Sequence, residues 1–81
     1  MTEKELIELG FDKQIENDIE NPFYYYTLNI SSVISFITQA NDEVKNGEWI
    51  VEIFETTPTI KFKDAKKLSN LIEILNQNKD D

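Results

Sequence analysis

Carboxylates recur two residues apart at Glu16, Asp18 and Glu20, and further pairs stand at Asp42/Glu43 and Glu52/Glu55. Groups so placed can hold a divalent cation, share a proton, or act as acid and base across a scissile bond. Each of these chemistries needs more than the carboxylates. A calcium loop requires a turn glycine and a terminal bidentate glutamate, and residues 16–22 (ENDIENP) supply neither. A glycosidase-type pair requires a cleft that an 81-residue chain of sheet and helix can hardly enclose. The acidic clusters therefore read as solvated surface. Lys61, Lys63, Lys66 and Lys67 form the only basic group, without the glycine-rich backbone of a phosphate loop. Salt bridging to the acidic part of the same chain is its expected use.

The absent residue types narrow the chemistry further. There is no His, Cys or Arg. Zinc sites and the usual nucleophile–base pairs cannot be assembled without His or Cys, and bidentate clamps on phosphate require Arg. The expectation is a protein that is not an enzyme and has no metal or cofactor.

The formal charge is −8, unevenly spread. Residues 1–55 hold twelve carboxylates and three lysines, whereas residues 56–81 hold five lysines and four carboxylates. Such a field repels nucleic acid and attracts basic surfaces. A basic protein partner is expected, and no nucleic acid or membrane. No apolar run approaches the roughly 20 residues that span a bilayer. The opening MTEKELIEL is acidic and amphipathic, unlike a signal peptide. A cytoplasmic setting is the expectation.

One domain spanning 1–81 must position these groups. Thr2 and Glu5 have the spacing of a capping box, Leu6, Ile7 and Leu9 give a short apolar face, and Gly10 ends the helix with Phe11 folding back. A short strand is expected near 11–16, followed by an acidic turn at 17–22. Phe23–Ile30, 33–39 and Trp49–Glu55 are rich in aromatic and β-branched residues and read as strands. Asn46-Gly47 signals a tight turn before the last of these. Residues 59–62 give a short final strand. Asp64 then caps a helix whose Leu68, Leu71, Ile72 and Leu75 make one apolar stripe, widened by Ile74. The expected fold is two-layer α+β: an antiparallel meander of four or five strands with both helices on one face.

The run FYYYT decides which residues remain outside. Alternation in a strand groups Tyr24, Tyr26, Leu28 and Ile30, the set that is apolar to its end and is expected under the helices. Tyr25 then points outward, with Phe23 near the strand's start. Trp49, Val51 and Ile53 are expected inside, and Glu52 carries Ile50 and Phe54 to the outer face. Val33, Ser35 and Ile37 oppose Ile34 and Phe36, and alternation does not orient this strand. The outer apolar residues either pack across strands or form a contact surface. The second reading nominates Tyr25 and Phe54 as anchors, with Glu16, Asp18, Glu20, Glu52 and Glu55 steering a basic partner.

The succession ELIELGF, FYYYTL, EWIVEIF and LSNLIEIL resembles small proteins of bacterial prophages and mobile elements, a group without an assigned activity. That resemblance covers most of the chain, except residues 12–22, and rests on core-packing motifs. It implies a setting and no mechanism. The resulting expectation is a small acidic, non-catalytic protein-binding module, such as a phage-encoded inhibitor of a host defence protein. Two alternatives stand beside it. An immunity or antitoxin-like protein would use the same acidity against a basic toxin. A nucleotide-like small ligand could instead lie in a pocket lined by Tyr24, Tyr25 or Lys66 at a dimer seam. A homodimer built by continuing the sheet across an exposed edge is allowed.

Overall fold

A computed structural model describes residues 1–17 and 20–77 of the chain. Helix α1 (Glu3–Glu8) begins with the expected capping box. The Glu5 N–H donates to Thr2 Oγ1 at 3.2 Å, and the Thr2 N–H donates to Glu5 Oε1 at 2.9 Å. Its end is set by Gly10, whose φ of +99° is closed to most side chains. The Gly10 N–H reaches the Ile7 carbonyl and the Phe11 N–H reaches the Leu6 carbonyl, a Schellman arrangement. Both residues of its apolar contact, Leu6 and Phe11, are buried.

The described residues then form five strands: β1 (Asp12–Glu16), β2 (Phe23–Asn29), β3 (Ser35–Thr38), β4 (Val51–Ile53) and β5 (Lys61–Phe62). Each pairs antiparallel with the next, so the sheet is a meander in chain order. Helix α2 (Ala65–Gln77) closes the fold, with the Lys66 N–H donating to Asp64 Oδ1 at 2.9 Å. The expected α+β architecture is the one observed.

Both helices meet one face of the sheet. Leu6 of α1 and Leu68 and Ile72 of α2 are buried with Phe11, Tyr26, Ile30, Phe36, Trp49 and Val51. Tyr24, Leu28, Ile34 and Ile53 pack on this core, half-buried. The expected inner sets of β2 and β4 are therefore correct. In β3 the burial of Phe36 supplies the orientation that alternation left open. Two residues of the expected helix stripes are not part of the core: Ile7 and Ile74 are exposed.

The strands are shorter than the apolar runs, for reasons visible in the backbone. Trp49 exchanges bonds with Met1, its N–H reaching the Met1 carbonyl at 2.7 Å and its carbonyl accepting from the Met1 amino nitrogen at 3.0 Å. The Ile50 N–H goes to Gln39 Oε1. Neither residue is left to extend β4. At the other end Glu55 takes φ +61° and turns the chain away. Asn46 and Gly47, both at positive φ, form the expected tight turn between Lys45 and Glu48.

Tyr26 ties these layers together. Its ring lies edge-on to Trp49 at 5.3 Å, its N–H donates to Thr38 Oγ1 at 2.9 Å, and its hydroxyl donates to Glu3 Oε1 at 2.8 Å. Thr38 is buried, so this bond replaces a ladder bond that no water could supply. Replacing Thr38 with Val keeps the shape and leaves the Tyr26 N–H unpaired. Chemical denaturation should show a loss of about 1–3 kcal/mol, with Thr38→Ser retaining most of the stability.

Burial, with Glu3 as a second cause, pushes the Tyr26 hydroxyl up from 10.0 to about 12. The folded chain thus holds this proton more tightly than the unfolded chain. The stabilisation is complete below pH 10 and is lost as pH rises toward 12. Melting temperature should fall across that window, and the fall should be shallower in Tyr26→Phe.

Candidate functional site

The sheet face opposite the helices is where the candidate residues collect. The β1–β2 register sets Asp12 beside Thr27, Gln14 beside Tyr25 and Glu16 beside Phe23. Thr27 continues the first row through Ile37 and Glu52 to Lys61. That row has a carboxylate at one end, an aliphatic side chain at its centre, and an ion pair at the other end. Lys61 Nζ and Glu52 Oε1 are 3.9 Å apart on a partly exposed surface, a pairing worth about 0–1 kcal/mol. Of the four clustered lysines it is Lys61 that meets the acidic part of the chain as expected; among the described residues Lys63, Lys66 and Lys67 form no ion pair.

The apolar part of this face is compact. Phe23 and Tyr25 stack with ring centroids 6.2 Å apart and planes at 29°. Gln14 Nε2 donates to Thr27 Oγ1 at 3.0 Å, which fixes the β1 side of the patch. Tyr25, Thr27, Ser35, Ile37 and Phe54 line a shallow depression of about 160 Å³. Phe54 is 51 % exposed. Its N–H donates to the Ser35 carbonyl, which holds the residue beside β3 although it lies beyond β4. The depression is the size of one side chain.

The nominated residues separate as follows. Tyr25 and Phe54 come together in the depression. Glu52 and Glu16 share the outer face with them, Glu52 opposite Ile37 and Glu16 opposite Phe23. Glu55 is exposed in the turn after Phe54, and Glu20 is exposed in the bend before β2. Asp18 lies outside the described residues. Ile50 does not join Tyr25 and Phe54; it lines another cleft. Phe23, Ile37 and Asp12 belong to the face and were not nominated. For Asp12 the signal was the polar alternation Asp12, Gln14, Glu16, which becomes a face only once β1 is in register with β2.

The other side of the FYYYT run has its own cluster. Tyr24 stacks on Trp49 at 5.9 Å, and Lys13 Nζ sits 4.1 Å above the Tyr24 ring. Burial raises the Tyr24 hydroxyl above its ordinary range, with Glu3 contributing. A cleft of about 720 Å³ opens near the Asn46-Gly47 turn, lined by Met1, Gln39, Lys45, Trp49, Ile50 and Lys63 among others. Tyr24, Tyr25 and Lys66 are not among its lining residues, and Lys66 sits on α2, across the fold from Tyr25. Among the described residues, no three carboxylates converge on a point where a metal ion could sit, and no helix is long and apolar enough to cross a membrane.

Comparison with protein-family models, with curated proteins and with solved structures finds no match to this chain.

Tyr25 and Tyr26 are neighbours with different environments, and their replacement separates packing from surface. Tyr25→Ser should cost about 0.2–1 kcal/mol, the scale of cross-strand ring contacts. Tyr26→Ser should cost about 3–5 kcal/mol, as for other large core rings. Urea denaturation of the two variants measures both.

Proposed function

We propose that this chain is a small acidic, non-catalytic protein-binding module that meets a basic protein partner with the open face of its sheet. The observation that carries the reading is Phe54, half in solvent beside Tyr25 and Ile37 on a face edged by Asp12, Glu16 and Glu52. Aromatic rings held by a rigid strand give contact area at little entropic cost, and surrounding carboxylates steer an oppositely charged surface. The net charge of −8 extends that steering over the whole molecule. The prophage resemblance suggests only a setting, in which a host protein is the partner and its inhibition is the role we propose.

Dependence on the rings distinguishes this mode from non-specific charge attraction, and dependence on salt distinguishes it from purely apolar contact. Immobilised protein exposed to bacterial lysate should retain a basic protein at about 0.1 M salt and lose most of it at about 1 M, where the screening length falls from about 10 to 3 Å. With that protein purified, Tyr25→Ser/Phe54→Ser should raise the Kd at least about tenfold, or ~1.4 kcal/mol. Equal binding by the double variant, or retention unaffected by salt, overturns the reading.

A further inference from the structure

The two edges of the sheet are unlike. The β5 edge is two residues long and presents Lys61 on the outer face. The β1 edge is five residues long, and its side chains divide cleanly by face. Asp12, Gln14 and Glu16 share the outer face with Tyr25, while Lys13 and Ile15 share the inner face with Tyr26 and Tyr24. Among the described residues, Asp12 and Glu16 have no ion-pair partner. Ile15 is on the face that elsewhere forms the core and is still 58 % exposed. Neither Ile15 nor Lys13 joins the core that the helices share with β2, β3 and β4.

We infer that β1 is a docking edge for a strand of the partner, one that alternates basic and apolar side chains. An added strand continues the sheet and satisfies the outward backbone groups of β1. Its cations lie beside Asp12 and Glu16 on the outer face, and its alternate apolar side chains lie beside Ile15 on the other. Lys13 stays over the Tyr24 ring and leaves the outer face of β1 without a cation.

Charge complementarity also decides against a second copy as the occupant. Full-length antiparallel pairing of β1 with itself is centred on Gln14 and puts Asp12 opposite the other copy's Glu16, twice over. Like charges directly opposite destabilise strand pairing. A basic strand reverses both terms. The short β5 edge, with Lys61 on its outer face, does not offer the same fit.

The inference rests on the reading of a basic partner, and two synthetic peptides separate the two claims. One alternates Lys and Val over seven residues; the other has the same composition with its lysines contiguous. Amide hydrogen exchange of the intact chain, followed by NMR, is the readout. The alternating peptide should slow exchange of amides within 12–16 at least about tenfold, and the contiguous peptide should not. Asp12→Asn/Glu16→Gln, checked for an unchanged fold by its spectrum, should weaken the alternating peptide several-fold.

Salt-sensitive binding of both peptides without protection at 12–16 overturns the docking edge and leaves the basic-partner reading standing. Protection by the alternating peptide that survives unchanged in the double variant overturns the charge selection. Binding of neither peptide overturns the docking edge, and the purified-partner experiment above then decides the wider reading alone.

Discussion

Tyr26 is held at three points that belong to three different parts of the chain. Thr38 takes its backbone N–H, Glu3 takes its hydroxyl, and Trp49 covers its ring. These contacts are buried or partly buried, and each polar one replaces water that the interior does not supply. With Tyr26 fixed toward the helices, the pleat leaves Tyr25 no choice of side. Every outer residue of β2 follows from that parity, and the strand pairings carry it across to Ile37 and Glu52. The open face is the necessary complement of the core.

Size explains why the opposite face stays open. Two helices of six and thirteen residues supply the apolar surface of the second layer, and one sheet face consumes it. The outer rings therefore pack on each other, Phe23 on Tyr25, with Phe54 brought alongside by its bond to Ser35. The same shortage of cover leaves Ile15 bare at the β1 edge. An open face with rings at its centre and carboxylates at its margin is stable in water because its polar groups remain hydrated. It also keeps the geometry that a complementary basic surface would require.

Much of the fold was legible in short stretches of sequence, and each legible feature is local. Thr2 and Glu5, Gly10 and Phe11, Asn46-Gly47, and Asp64 act over four residues or fewer, so their spacing carries the information. The helical stripe of α2 and the alternation of β2 are local in the same sense. The features that escaped depend on residues distant in the chain. Trp49 and Ile50 read as strand but are bound by Met1 and Gln39. Ile7 and Ile74 read as stripe residues, yet both are exposed, because the core draws only Leu6, Leu68 and Ile72 fully inside from the two helices. Salt bridging of the lysine cluster was expected, but that it would be Lys61 with Glu52 is visible only when β4 and β5 are side by side.

The candidate face shows the same division. The residue types alone determined that Tyr25 would be the outward ring of the triplet, that His, Cys and Arg chemistry is absent, and that the surface field is negative. Periodicity and charge are properties of the chain, and folding does not alter them. Only the tertiary structure decided that Phe54 and Tyr25 line one depression, that Ile37 and Asp12 belong to the same surface, and that Ile50 does not. Register between strands settles such membership, and register is set by the whole core, with Tyr26 at its centre.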